Sequence, residues 1–158
     1  NVLITSFQQY FKLVEYFSDF TKERMGLPMG VQNLIQIFDE KYYRNLSGGI
    51  LEAFGKLFYR DLKVYMYPYH DQASDEYINS ENLKVHPRMK ELYKFFNNNG
   101  RLVDIKDFDK DILDIFSRTV LKMIMDGEEG WEDMLPKGIP ETIKQKRLFG
   151  FSRSRAKK

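Results

Sequence analysis

One segment near the middle of the chain limits the possible folds more than any other. Residues 62–67 read LKVYMY, with Lys63 as the only charge among them. A near-continuous apolar run of this length is typical of a strand covered on both faces, as in a parallel sheet. Pro68 ends the run, because proline cannot donate to a strand ladder. The segment therefore predicts the central strand of an α/β sheet.

An amphipathic helix is expected directly before this strand. Ser47 can cap it, and apolar residues recur at helical spacing over residues 50–58. Gly48 and Gly49 stand in the first turn, where glycine weakens a helix relative to alanine. Two explanations stay open. Close backbone packing is the one we favour, and an anion bound at the helix start is the other.

The residues after the central strand are candidates for a site. Ligands of open α/β sheets bind outside the carboxyl ends of strands, where His70 and Asp71 would lie. Residues 69–82 are polar and long for a connection, so they suggest a lid or binding loop. Asp75 and Glu76 add carboxylates but match no metal-site spacing, so we expect a solvated loop or hairpin and no metal site. His70 with Asp71 or Asp75 remains a weak candidate for a catalytic pair.

Elsewhere the pattern alternates between strands and helices. Ser6 would cap the first helix, with Gln9 completing a capping box, and Asp109 would cap a long helix ended by Gly127. Gly30 would turn a strand into a helix, a layout that can cradle phosphate, although no Walker lysine is present. Further strands are predicted at residues 2–5, 25–30 and 101–105. The order implies right-handed crossovers and a Rossmann-like, three-layer α/β fold with about four parallel strands and a helical C-terminus.

Composition indicates a globular domain with a basic tail. Hydrophobic residues make up 42% of 158 residues, which is enough for a substantial core. Residues 144–158 contain seven basic residues and no acid, so the other 18 basic residues face 23 acids, a balance of −5. We therefore expect one α/β domain over residues 1–151 and a flexible basic tail over 152–158. Because cysteine is absent, disulfides and cysteine nucleophiles are excluded.

Several functional classes find no support in the sequence. There is no apolar run of about 18 residues, no signal peptide, no G-x-S-x-G elbow and no H-E-x-x-H motif. The tail lacks an RNA-binding motif, so a nucleic-acid partner is disfavoured. The tyrosines around Tyr42 are compatible with a homo-oligomer. The chain begins without methionine inside an apolar run, and we expect it to be part of a larger protein with an upstream domain.

Three blocks of sequence resemble a known group of proteins. They are residues 38–58 (FDEKYYRNLSGGILEAFGKLF), residues 62–68 (LKVYMYP), and residues 130–136 (GWEDMLP) with the later RLFG at 147–150. Together they resemble the C-terminal region of long bacterial proteins described as nicotinate-nucleotide adenylyltransferases, and the resemblance covers most of the chain. The H-x-G-H-type and I-S-S-T-x-x-R-type motifs of that chemistry are absent, so no adenylyltransferase residue is carried over. The resemblance implies a domain of a larger cytoplasmic protein linked to NAD metabolism.

Our leading hypothesis is an accessory, C-terminal α/β domain that is not catalytic alone. It would bind a phosphorylated small molecule or nucleotide, or serve assembly, with no other cofactor predicted. Several helix starts with small residues would converge at one sheet edge. The candidate ligand residues are Ser6, Gly30, Ser47, Gly48, Gly49 and His70. Two alternatives stay open: a self-contained small enzyme using His70 and nearby carboxylates, and a nucleic-acid-associated module acting through the tail.

Overall fold

The computed structural model describes residues 5–152. The chain divides into two compact units, a first unit that ends at Phe108 and a second unit that begins at Asp109. The predicted strand at residues 2–5 lies, apart from Thr5, outside the described residues. The same holds for residues 153–158 of the predicted tail. The expectation of one domain over residues 1–151 stays a prediction.

A parallel sheet forms the centre of the first unit. The strands among its described residues are β1 (Gly26–Gly30), β2 (Lys63–Tyr67), β3 (Tyr69–Asp71), β4 (Glu76–Ile78) and β5 (Leu102–Asp104). Strands β1, β2 and β5 form a parallel sheet in the order β1-β2-β5, and β3 and β4 form an antiparallel hairpin. The α/β class and the central position of β2 are confirmed. The described sheet has three parallel strands, where about four were expected.

Helices connect the strands of the first unit. They are α1 (Tyr10–Phe20), α2 (Val31–Ile37), α3 (Gly49–Leu57) and α4 (Lys90–Asn98). The crossover from β1 to β2 contains α2 and α3, and α4 leads into β5. Helix α3 forms because its apolar residues recur at helical spacing, and Ile50, Ala53, Phe54 and Leu57 are all buried. The predicted amphipathic helix before the central strand is therefore confirmed.

Aromatic rings fill the core between these helices. The ring of Phe54 in α3 lies 4.9 Å from the ring of Phe38, 5.1 Å from Phe96 and 5.7 Å from Phe58, between centroids. All three pairs are edge-to-face, the geometry that aromatic quadrupoles favour. The ring of Phe38 also lies 5.2 Å from that of Tyr93 in α4. These contacts fix the segment after α2 against both α3 and α4, which is where a pocket forms.

The predicted start of the first helix is wrong. Helix α1 begins at Tyr10, and Ser6 lies in an exposed segment before it. The residue before the helix is Gln9, which has extended backbone angles and makes no side-chain cap hydrogen bond. The buried face of the helix, formed by Phe11 and Val14, sets this start, because tertiary packing outweighs a single local cap.

The second unit is built from short helices. It contains α5 (Ser117–Asp126) and α6 (Ile139–Lys146), and its buried cluster is formed by Val120, Ile124, Trp131 and Ile143. Asp109 caps only a 3-10 turn, where its Oδ1 accepts from the Asp111 N–H at 3.0 Å. The long helix predicted from Asp109 is therefore wrong, because Phe116 is extended and the chain restarts as α5.

The end of α5 matches the sequence pattern. Gly127 follows the helix in the left-handed region, with φ of 70°, where glycine avoids the cost that a Cβ would bring. The predicted stop at this glycine is confirmed. Among residues 5–152, no helix combines the length and the apolar character needed to cross a membrane.

Candidate functional site

Two of the predicted ligand residues belong to segments that emerge at the same edge of the sheet. Gly30 is the last residue of β1 and pairs with Tyr67, the last residue of β2. His70 lies in β3, three residues beyond Tyr67. A Cβ added to Gly30 would meet nothing within 4 Å, so close packing does not demand glycine there. The carboxyl edge is thus formed as expected for an α/β sheet.

The contacts of His70 build a hairpin. Its Nε2 lies 3.0 Å from Oδ1 of Asp75, whose side chain is 93% exposed. Asp71, the other expected partner, accepts from the Ala73 N–H at 3.2 Å and from the Ser74 hydroxyl at 3.0 Å. These bonds are typical of an Asx turn closing β3 onto β4. A hairpin was one of the two structures that we expected within residues 69–82, and it is present. The carboxylate that faces the His70 imidazole is open to water.

The start of α3 is occupied by a carboxylate of the chain itself. The Gly48 N–H donates to Oε2 of Glu52 at 3.0 Å, and the Lys56 ammonium lies 3.2 Å from the other carboxylate oxygen. Both contacts hold the pKa of Glu52 below its usual value, the Gly48 N–H being the larger cause. A Cβ on Gly48 would come within 2.9 Å of the Glu52 Cβ. Close packing therefore explains this glycine.

The next glycine and the preceding serine have simpler roles. Gly49 has φ of +57°, in the left-handed region that favours glycine. Ser47 is exposed and lies before the N-cap residue, which is Gly48, so the predicted serine cap is wrong. Of the predicted ligand residues, Ser47, Gly48 and Gly49 thus belong to the start of α3, Gly30 and His70 to the edge of the sheet, and Ser6 to the segment before α1.

A pocket that the sequence analysis missed lies elsewhere in the first unit. It has a volume of about 350 Å³. Its walls come from the end of α2, the turn that follows it, and the segment that enters α4. We call it the arginine pocket, lined by Ile35, Phe38, Asp39, Glu40, Lys41, Arg44, Val85, His86, Arg88 and Met89.

Charged side chains surround the mouth of the arginine pocket. The Lys41 ammonium lies 2.6 Å from Oδ2 of Asp39 and 4.8 Å from the centre of the Tyr42 ring. The hydrogen bond from Lys41 is the main cause that lowers the pKa of Asp39. Arg44 and Arg88 are exposed, and neither guanidinium bonds or ion-pairs to the part of the chain that the structure describes. These two groups therefore retain their donors for a ligand.

A histidine stands beside these arginines. The Nδ1 of His86 accepts from the Arg88 N–H at 3.4 Å, at the 3-10 turn Pro87–Met89 that precedes α4. Among the lysine, arginine, aspartate and glutamate side chains that line the pocket, Lys41 and the two arginines exceed the two acids by one charge.

Hydrogen bonds deeper in the first unit hold the walls of the pocket. The Tyr43 hydroxyl donates to the Ile37 carbonyl at 2.9 Å, and burial raises the pKa of this tyrosine to about 12. The Tyr93 hydroxyl donates to the Ser80 carbonyl at 2.7 Å, and this serine also bonds to Asp104. The turn after α2 and the loop before α4 are thus each fixed to the core.

Only the tertiary structure brings the parts of this pocket together. Arg44 follows two tyrosines in a short turn, and Arg88 follows a His-Pro pair, and each segment alone looks like solvated surface. The neighbouring pair Tyr42 and Tyr43 was the one available signal, because tyrosines beside a basic residue often mark contact surfaces. No group of three or more His, Asp or Glu among residues 5–152 is arranged to hold a metal ion.

Comparison of the chain with protein-family models, with curated proteins and with solved structures finds no match.

Proposed function

We propose that this chain is an accessory α/β domain that binds a phosphorylated small molecule in the arginine pocket. The observation that carries the proposal is the pair Arg44 and Arg88, which line one cavity from two separate segments and form no hydrogen bond or ion pair with residues 5–152. Arg44 lies close enough to Asp39 to contribute to the lowered pKa of that carboxyl, but does not bond to it. A guanidinium presents a planar fork of donors that matches phosphate oxygens two at a time, and such charge-assisted bonds are about twice as strong as neutral ones.

The arginine pocket fits this role better than the start of α3 does. At α3, the Glu52 carboxylate already accepts from the Gly48 N–H, so a phosphate would have to displace it. Asp39 and Glu40 also line the arginine pocket, but Lys41 compensates Asp39. One excess positive charge remains to attract an anion.

The wider setting of the domain belongs to the same proposal. The sequence resemblance suggests a C-terminal position in a larger bacterial protein, a cytoplasmic location and a link to NAD metabolism. We include in the proposal a Rossmann-like, three-layer arrangement with about four parallel strands. Catalysis by His70 is a weaker alternative, since Asp75, the carboxylate facing it, is open to water.

A second candidate function is assembly, favoured by a separate surface. A groove of about 490 Å³ runs between α3 and α4. Leu51 and Phe95 line it with 65% and 59% of their surface exposed, above the stacked rings of Phe58 and Phe96, whose centroids are 4.2 Å apart. Exposed apolar grooves of this kind commonly bind protein partners. Sedimentation of the wild-type chain and of Leu51→Glu would show whether a second copy occupies it.

The ligand proposal is tested by isothermal titration with ribose 5-phosphate and inorganic phosphate. Replacing Arg44 and Arg88 together by glutamine should weaken binding at least tenfold, because each charged hydrogen bond contributes about 1.5–3 kcal/mol. The matched control is Arg118→Gln, which removes an exposed arginine of α5 that does not line the pocket. Equal binding by the double variant and the control would refute the proposal.

A further inference from the structure

The floor of the arginine pocket is apolar, in contrast to its charged mouth. Phe38 and Met89 are buried, Val85 is half-buried, and Ile35 is partly exposed beside them. These side chains come from the end of α2 and from the entry to α4, the segments that also carry the pocket's charges. A ligand that filled the cavity would therefore contact cations at one end and hydrocarbon at the other.

The charges of the pocket suit a single phosphate group. Lys41 is committed to Asp39 at 2.6 Å, so Arg44 and Arg88 are the cations left for the ligand. Glu40 also lines the pocket and would repel additional anionic groups. With an excess of one positive charge, the pocket favours a monoester over a diphosphate, because the second phosphate would meet Glu40 without a further cation.

The size of the pocket limits the rest of the ligand. Its volume of about 350 Å³ lies near the lower end of the range of roughly 300–1,000 Å³ typical of small-molecule sites. That is room for a phosphate and a group the size of a ring, but not for a long chain. Each methylene buried on such a floor is worth about a fourfold gain in affinity.

We propose that the ligand is a phosphate monoester carrying an apolar ring, with its phosphate at Arg44 and Arg88 and its ring on the floor formed by Ile35, Val85 and Met89. This inference rests on the proposed function and specifies its substrate class. The non-phosphorylated end of the ligand thus contributes to recognition as well as the phosphate.

Isothermal titration with small probes tests the inference. Phenyl phosphate should bind at least tenfold more tightly than inorganic phosphate and more tightly than pyrophosphate, and phenol alone should show no measurable binding. Adenosine 5′-monophosphate, compared with phenyl phosphate, distinguishes a ring held through a sugar from a ring directly on the phosphate.

Two variants separate the contribution of the ring to binding from that of the phosphate. Ile35→Gln makes the floor more polar at a partly exposed position, so the fold should tolerate it. It should weaken phenyl phosphate severalfold and leave inorganic phosphate unchanged. Arg88→Gln should weaken both. The matched control for the floor is Leu121→Gln, at a similarly exposed apolar position of α5.

The outcomes distinguish this inference from the proposed function. If inorganic phosphate and phenyl phosphate bind equally well and Arg88→Gln weakens both, the phosphate site stands and the ring is not recognised. If pyrophosphate binds most tightly, the preference for a monoester is wrong. If Arg88→Gln changes nothing, both the site and the inference are wrong.

Discussion

Replacing Asp104 by alanine should release the loop that leads into the arginine pocket. Oδ1 of Asp104 accepts from the Ser80 N–H at 2.9 Å, and Oδ2 accepts from the Ser80 hydroxyl at 2.7 Å. Ser80 is only 6% exposed, and its carbonyl accepts from the Tyr93 hydroxyl and from the Asn97 side-chain amide. The serine is thus held from both sides, and residues 81–86 continue from it to the pocket.

The size of the effect follows from these bonds. A hydrogen bond to a charged acceptor contributes about 1.5–3 kcal/mol, and a buried donor left unpaired costs about 1–3 kcal/mol. Because Asp104 is partly exposed, water can replace some of what is lost. We therefore expect Asp104→Ala to lower the free energy of unfolding by about 3 kcal/mol. Asp104→Asn keeps one acceptor and offers a donor to the hydroxyl, so it should cost less than about 1 kcal/mol.

Urea unfolding followed by circular dichroism, together with hydrogen exchange at the Ser80 amide, measures both variants against the wild-type chain. The alanine variant should also speed exchange at Ser80 well beyond the change in global stability. If Asp104→Ala lies within about 0.5 kcal/mol of wild type, the scale of an ordinary surface substitution, or if the asparagine variant is equally destabilised, the argument that this carboxylate anchors the loop is wrong.

Two further predictions concern the walls of the pocket and the start of α3. Burial raises the pKa of Tyr43 to about 12, against about 10 in an unfolded chain. Above pH 10 the unfolded state loses this proton while the folded state keeps it, so the free energy of unfolding falls by up to about 1.4 kcal/mol from pH 10 to 11. Tyr43→Phe should remove this contribution to the loss of stability at alkaline pH, as measured by urea unfolding at pH 9 and 11. An unchanged pH dependence in the variant would contradict the raised pKa of Tyr43. Gly49→Ala should lower the free energy of unfolding by about 1–2 kcal/mol, because φ is +57° there. Gly55→Ala, inside α3, should raise it by about 0.5–1 kcal/mol. Melting temperatures that shift in the same direction and by similar amounts would rule out backbone strain as the reason for glycine at position 49.

The sequence alone determined the central features of the first unit. Residues 62–67 were expected to form the central strand, and β2 does lie between β1 and β5. Only one face of β2 is fully buried, that of Val64 and Met66, whereas Tyr65 on the other face is 38% exposed, so the expected cover on both faces is wrong. Helix α3 follows from the helical spacing of its apolar residues, and the left-handed Gly127 ends α5 where the sequence predicts. These features depend on residues close together in the chain, so a local pattern is sufficient to predict them.

The tertiary structure decided what local patterns left open. Ser6 is a good cap by type, yet α1 begins four residues later, where its buried face begins. His70 faces Asp75 across a hairpin turn, and the residue types alone left open whether Asp71 or Asp75 would be its partner. Arg44 and Arg88 meet at one pocket because Phe38 packs against both Phe54 and Tyr93, joining segments far apart in sequence. A site of this kind depends on long-range packing of the core, and the local periodicity of the chain contains no signal for it.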